Sequence, residues 1–346
     1  MGLDDLPQPF TRAEATSAGV SGRRLDLALG RGDLVRIAPG VYALAAGWTA
    51  ATPWERHRAL AIAARRVTPD AILSHTSAGA LLGLPMPPRP PPRATMTVLD
   101  DVRTSSSDNW RDFHRGATPP SHVVIRRGMP ELVPARTVLD AVRVLRPRDG
   151  LALLDGALRR GLVRPGDLRA MRIHQRRWPG VTRFDALLSL ADSRRESWLE
   201  SASTWTMASW AVPLPTPQVL VLDASERFVA RVDGLWAAHG VVGEADGATK
   251  YALGASGTLD ARAVARNAAA QLSREDRLRD LGLGVVRWGT TDLDEPLVLR
   301  DRVLRALDRG DPARVTARLR CSCCQRPLTD CPEPTRLRPN GVGGGQ

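Results

Sequence analysis

The sequence predicts an α/β (α+β) protein assembled from several small modules, and three observations carry that expectation. The chain has 346 residues, 43% of them hydrophobic, which is enough for two or three cores when a domain takes ~100–200 residues. Residues 10–48 alternate helical and strand patterning, and the chain after Ala191 sets several strands between helices. Between these lies a stretch that reads as a mostly helical middle region. The expected segments are 1–48, 49–190, 191–300 and a basic, disordered tail over 301–346.

The N-terminal segment can be justified residue by residue. In "FTRAEATSAGVSGRRLDLALGRGDLVRIAPGVYAL", Thr11 and Glu14 have the spacing of a capping box and Gly19 closes the short helix they open. Ser21 caps a second helix that carries Leu25, Ala28 and Leu29 on one side and Arg23, Arg24 and Arg31 on another. "DLVRIA", the Pro39-Gly40 turn and "VYAL" then make a short hairpin. Helix, turn, helix and two-stranded wing is the winged helix-turn-helix order, in which the second helix enters the major groove of DNA while basic groups hold phosphates. Arg23, Arg24, Arg31 and Arg36 are the candidate DNA contacts. A small helical hairpin of this kind also serves as a protein-binding module.

A net charge of +12 and an isoelectric point near 11.0 favour a polyanionic partner. Arginine richness with a single lysine, Lys250, also matches the codon usage of a GC-rich genome. No apolar run reaches the ~18 residues of a membrane span, and the acidic start "MGLDDLPQPF" is unlike a signal peptide. A cytoplasmic protein without membrane partners is therefore expected. All four cysteines, Cys321, Cys323, Cys324 and Cys331, fall in the tail, so disulfides do not hold the cores. Cys321 and Cys324 have C-x-x-C spacing, but a second properly spaced pair is missing.

In the middle region "WTAATPWERHRALAIAARRV" reads as an amphipathic helix and "ILSHTSAGALLGLP" as strand, cap and short helix. His75 is expected to be structural. "PPRPPPR" and "DDVRTSSSDNW" read as loop. "HVVIRRG" supplies a strand, and "VPARTVLDAVRVL", "GLALLDGALRRGLV" and "RFDALLSLAD" supply helices. Arg136 and Asp140, four residues apart, read as an ordinary surface pair.

After Ala191 come a helix in "ESWLESASTWTMASW", strands in "QVLVLDA", "RFVARVDGLW" and "VVGEAD", a helix opened by Ser273 and a last strand "GVVRW". Only "AAHG" separates "RFVARVDGLW" from "VVGEAD", which suits an antiparallel hairpin. A turn over residues 237–240 pairs Trp236 with Val241 and sets Asp233 opposite Glu244. Two carboxylates facing each other are destabilising on their own; a divalent cation between them removes that cost. Asp246 shares a face with Glu244, and Glu200, one helical turn after Glu196, can add a further carboxylate. Oxygen ligands of this kind suit Mg2+ or Mn2+ better than zinc. Lys250, four residues past Asp246, can reach a phosphate oxygen and offset charge in phosphodiester hydrolysis.

Asp233, Glu244-x-Asp246-Gly247, Lys250-Tyr251 and "SREDRLRDLGLGVVRW" resemble the very-short-patch-repair-like (Vsr-like) endonuclease domain, a branch of the PD-(D/E)xK nucleases. The segment ending "VRIAPGVYAL", with "LSHTSAGALLGLP" and "VPARTVLDAV", is similar to the N-terminal domain of AbiEi-type antitoxins. The resemblance implies a restriction-endonuclease-like mixed sheet flanked by helices. It implies that Asp233 and Glu244 hold the metal, that Asp246 assists, that Glu200 is the acidic residue of the first helix, and that Lys250 stands where relatives have a histidine. DNA and a partner toxin protein are the implied partners. Two positions depart from the pattern: the usual lysine two residues after the glutamate is Asp246, and the Glu-Lys pair before "REDRLR" reads Gln271-Leu272.

The residues leave three function classes open. One is a Mg2+-dependent DNA endonuclease or nickase guided by the winged helix. Another is an antitoxin-like transcriptional regulator whose nuclease-like domain does not cut. The third is a scaffold with a solvated acidic turn.

Overall fold

A computed structural model describes residues 2–98, 107–126, 128–247 and 261–331. It is a mixed α/β chain with two compact units, Met1–Leu145 with Leu162–Phe184, and Arg146–Gly161 with Asp185–Gln346.

The first unit opens with β1 (Phe10–Thr11), α1 (Arg12–Ser17), α2 (Gly22–Arg31), β2 (Leu34–Ala38) and β3 (Val41–Leu44), the strands ordered β1-β3-β2. The local chemistry is that of the expected caps. Thr11 accepts from the Glu14 N–H while the Glu14 carboxylate takes the Thr11 N–H, and Ser21 accepts from the Arg24 N–H. Each such cap contributes about 1 kcal/mol. Gly32 ends α2, at φ 78°, a conformation that glycine adopts without a Cβ clash. Leu25 and Ala28 bury against Phe10, Ala15, Val20, Leu34 and Tyr42 in one small core.

After α3 (Ala45–Ala50), α4 (Pro53–Val67) starts at a second capping box, Thr52 with Glu55. The region that follows is less helical than its sequence suggests. β4 (Ala71–Leu73), α5 (His75–Leu81), β5 (Ala94–Val98) and β6 (Arg111–His114) include a three-stranded sheet ordered β4-β5-β6. β7 (Val123–Arg126) and β8 (Met129–Leu132) pair as a hairpin. All five residues of β5, "ATMTV", are buried, so its alternation of apolar residues with threonine marks two covered faces and not a half-exposed strand. Its neighbour β6, "RDFH", is partly exposed throughout and carries a single apolar residue, Phe113.

α6 (Pro134–Val144) carries a second departure. Arg136 and Asp140, expected on the surface, are 1% and 0% exposed. The Arg136 Nε donates to Asp140 at 2.6 Å and its Nη1 to the Ala117 carbonyl at 2.9 Å. Asp140 also accepts from Arg143 and Gln175. Such a pair persists in a core where further hydrogen bonds satisfy most of its polar atoms. Around it stand His75, at φ 48°, and His114, their rings stacked at 3.8 Å.

α7 (Pro147–Arg159) belongs to the second unit, although its sequence continues the middle region. Its buried face holds Leu151, Leu153, Leu154 and Asp155, and Asp155 binds Arg195 and Ser201 at 2.7 Å each. α8 (Pro165–His174) lies in the first unit, and the division between units falls within α9 (Val181–Leu190). The second unit then runs α10 (Trp198–Ser209), β9 (Thr216–Leu222), β10 (Phe228–Trp236), β11 (Val241–Asp246), α11 (Ala261–Asp280), β12 (Gly284–Gly289), α12 (Pro296–Arg309) and β13 (Arg318–Cys321).

Its five strands are ordered β12-β11-β10-β9-β13, with β11 and β12 parallel and the other pairs antiparallel. One core lies among Leu199, Trp236, Trp288 and Val303, and another among Val219, Val232, Val242 and Leu278. α11 begins at Ala261, so Ser273 is an interior residue of that helix and does not open it. Residues 301–331 also differ from the expected disordered tail: α12 buries Val303 and Leu307, and β13 pairs along β9. Among the described residues no helix is long and apolar enough to cross a membrane.

The buried histidines give the first unit a pH signature. Burial lowers His75 well below the usual range, helped by His114, Arg143 and Arg136; burial also lowers His57, His114 and His122. A depressed histidine is fully stabilising above the unfolded value of ~6.5, and the contribution is lost as pH falls below it. The denaturant midpoint of the first unit is expected to drop between pH 7.5 and 5.5, and His75→Asn, which tolerates φ > 0, to show a smaller drop. Equal drops in the two proteins would place the acid sensitivity elsewhere.

Candidate functional site

The β10–β11 hairpin has the register that its turn length requires. Trp236 pairs with Val241, Leu235 with Val242 and Gly234 with Gly243, so the next position along sets Asp233 beside Glu244. Beyond Gly243 the ladder gives way, and the Asp233 Oδ2 takes the Ala245 N–H at 2.9 Å. Val232 and Leu235, three positions apart, bury in the same cluster, so strict two-residue alternation is not kept between them although their register with β9 is regular.

Gln218 on β9 lies between Pro217 and Val219, whose partners on β10 are Gly234 and Val232. Its backbone sits at φ 53°. The side-chain Nε2 donates to Glu200 at 2.8 Å and to the Asp233 Oδ1 at 3.3 Å. Glu200 projects from the first turn of α10, 8% exposed, and also accepts the Glu196 N–H. Burial raises its pKa and the neighbouring Asp233 charge adds to that. Glu196 itself turns away to Arg159 and Arg231. Glu200, Gln218, Asp233 and Glu244 thus form one acidic group across a helix and three strands. Gln218 had no motif to mark it in the sequence.

Glu244 is 2% exposed. Its Oε2 accepts from Arg274 of α11 at 2.6 Å, while its Oε1 is buried with no hydrogen-bond partner. The Gln218 Oε1 is a second buried acceptor in the same condition. Asp246 has both oxygens taken by Arg287 at 2.8 and 3.0 Å. Arg231, Arg274, Arg277 and Arg287 line a cleft of ≈ 600 Å³ that also contains Asp246. Lys250 lies outside the described residues.

The donor set fits a hard divalent cation in kind. It is all oxygen, it is anionic, and two of its acceptors lack donors, which a cation or its water would supply. Among the described residues no three carboxylates bring ligand atoms within 4.8 Å of one another. Asp233 and Glu244 are the natural pair, since magnesium binds through one or two carboxylates and retains water. The four arginines expected to contact DNA, Arg23, Arg24, Arg31 and Arg36, are all exposed, and none is in an ion pair with a described residue.

Glu244 makes the acidic group sensitive to pH. Burial pushes its carboxyl up to about 7, partly offset by Arg274 and reinforced by Asp233. A raised acid favours the protonated fold, so the parent loses stability as pH rises from the unfolded value near 4.5 through 7. Glu244→Gln mimics the protonated form and is expected to be more stable than the parent by about 2–3 kcal/mol at pH 8, the gap closing toward pH 4.5. Paired urea titrations at the two pH values check this; a gap independent of pH would contradict it.

Comparison with known proteins bears on the N-terminal region. Two curated proteins of Mycobacterium tuberculosis, uncharacterized protein MT2308 of strain CDC 1551 and uncharacterized protein Rv2248 of strain H37Rv, are each 29% identical over 178 residues. The match takes in 51% of this chain and 61% of each relative, so the chain spans about three fifths of the length of the curated relatives it matches. Among solved structures, the crystal structure of RV2827C protein from the same species aligns over 62% of this chain and 80% of that one, at 17% identity and a TM-score of 0.34. Residues 3–45 match the family described as transcriptional regulator, AbiEi antitoxin, so the chain carries an antitoxin-type transcriptional-regulator domain at its N-terminus.

Proposed function

We propose that the protein is a DNA-binding regulator of the antitoxin type, in which residues 10–44 act as a winged helix-turn-helix. The match of residues 3–45 to an antitoxin regulator family carries this reading. The shape of α2 supports it: Leu25 and Ala28 are buried while Arg23, Arg24, Leu27 and Arg31 are exposed, leaving a basic face unengaged. Arg36 stands on the hairpin that follows. In this reading α2 lies in the major groove, these arginines hold phosphates, and a toxin protein is the partner. Replacing both Arg23 and Arg24 by Ala is expected to weaken DNA binding and make the salt dependence shallower by about two in log K against log salt, one for each lost phosphate contact. Unchanged affinity across a salt series would count against the assignment.

A second reading, metal-dependent cleavage of DNA, is favoured by one observation: the buried Oε1 of Glu244 without a hydrogen-bond partner, beside Asp233. The mixed sheet of the second unit, with α10, α11 and α12 in the same unit, also agrees with the sheet flanked by helices that the Vsr-like resemblance implies. Asp233 and Glu244 would hold Mg2+ or Mn2+, and such an ion supplies a hydroxide nucleophile at neutral pH. Gln218 ties Glu200 to Asp233 and keeps both carboxylates in place. Asp246 could join as a ligand only by releasing Arg287. Arg231, Arg274 and Arg277 face the cleft, where guanidinium groups suit phosphate oxygens. Plasmid nicking with Mg2+ or Mn2+ is expected in the parent, and a loss of roughly 100-fold or more in Asp233→Asn and Glu244→Gln. Cleavage persisting in both variants would remove the site from this role, and a parent inert with both ions would leave the regulator reading alone.

A further inference from the structure

The four cysteines, distant from any expected site in the sequence, meet in the second unit. Cys321 ends β13, and the turn after it folds back: the Cys321 N–H donates to the Arg326 carbonyl at 2.9 Å and the Gln325 N–H to the Cys321 carbonyl at 2.8 Å. Gln325 takes the left-handed conformation at φ 58° that this reversal needs, and Arg320 bridges Pro327. The reversal delivers Cys331 back to the start of the turn. All four sulfurs lie within 4.8 Å of one another. The Cys321–Cys323, Cys321–Cys331 and Cys323–Cys331 separations are 3.0, 3.4 and 3.6 Å.

A hydrophobic role does not account for this cluster. Cys323 is exposed, and Cys324 and Cys331 are partly so. Disulfides do not account for it either: none joins these sulfurs, a bonded pair lies ~2.05 Å apart, and neighbours in sequence such as Cys323 and Cys324 have Cα atoms ~3.8 Å apart, below the usual disulfide range. Sulfurs around one tetrahedral zinc at ~2.3 Å stand about 3.8 Å from each other, close to the separations found. The Nη1 of Arg194 lies 4.0 Å from the Cys321 sulfur, with Arg194 held by Asp192 at 2.7 Å. That cation faces the negative charge a four-thiolate centre would carry.

We propose that Cys321, Cys323, Cys324 and Cys331 bind a single structural zinc ion that clips the end of β13 against β9. The clip reaches the acidic group through the backbone. Cys321 pairs with Val219, and the Ser322 N–H donates to the Gln218 carbonyl at 3.3 Å. Gln218 in turn holds Glu200 and Asp233. The ion is therefore a positioning element for Gln218, whichever function the acidic group has. The short segment from Arg318 to Cys331 supplies only Leu319 and Leu328 to the neighbouring core, too little apolar surface to order it alone, and a metal substitutes for a core in segments of that size.

The test uses the full chain, produced without a metal-affinity tag and kept reduced. Elemental analysis is expected to give one zinc per chain, and X-ray absorption four sulfur neighbours at about 2.3 Å. Cys324→Ser, at a partly exposed position, is expected to fold and to lose zinc affinity by 100-fold or more in competition with a chromogenic chelator; Ser322→Ala is the control that retains it. Chelation is expected to speed amide exchange in β13 and in the stretch of β9 around Gln218. Less than about a tenth of an equivalent of zinc after reconstitution, bound iron with a visible chromophore, disulfides in protein alkylated at lysis, or full zinc affinity in Cys324→Ser would each overturn the assignment. Unchanged exchange in β9 after zinc removal would overturn the positioning role.

Discussion

The register of the β10–β11 hairpin is the constraint from which the second unit follows. Once Trp236 pairs with Val241, Asp233 and Glu244 become neighbours, and like charges at adjacent cross-strand positions repel. The surrounding structure answers that repulsion one atom at a time. The Ala245 N–H and the Gln218 amide take the two oxygens of Asp233, Arg274 takes one oxygen of Glu244, and Arg287 takes both of Asp246. What remains is one buried carboxylate oxygen on Glu244 without a donor. A fold selected only for stability would have a cheaper solution at position 244, because a buried polar oxygen left without a donor is costly.

The positive charge of the chain divides along the same lines. Many arginines are committed to carboxylates inside their own unit, as Arg136 is to Asp140, Arg195 to Asp155 and Arg287 to Asp246. Arginine suits such places because its planar fork satisfies two acceptors at once. The arginines of α2 and the following hairpin are different in kind, exposed and outside any ion pair with a described residue. Net charge alone cannot separate these two populations; the distribution of partners does.

Local chemistry was legible in the sequence and long-range pairing was not. Thr11, Ser21 and the "AAHG" turn act within a few residues of themselves, so the caps and the hairpin register follow from spacing. β5 is buried on both faces, and five residues of apolar–threonine alternation do not show what covers them. The burial of Arg136 and Asp140 depends on Ala117 and Gln175, far away along the chain. Asp246 shared a face with Glu244 by alternation, but its engagement by Arg287 required knowing that β12 lies parallel to β11. The cysteines failed the usual zinc spacing because one tight reversal, not two separated knuckles, brings them together.

Gln218 shows how the parts of this unit depend on each other. A non-glycine residue at φ 53° carries about 1–3 kcal/mol of backbone strain and persists only where its surroundings over-determine it. Here its carbonyl accepts from Ser322 on one side, and its side chain reaches Glu200 and Asp233 on the other. The two ends answer to different chemistry: sulfur ligands select soft or borderline ions such as zinc, and carboxylates select hard ones such as magnesium. Two ions could therefore act on this sheet without competing for the same ligands. A change at the sulfur end would reach the carboxylates through a single strained residue, because the anchor that holds Gln218 in its unfavourable conformation is the same turn that gathers the cysteines.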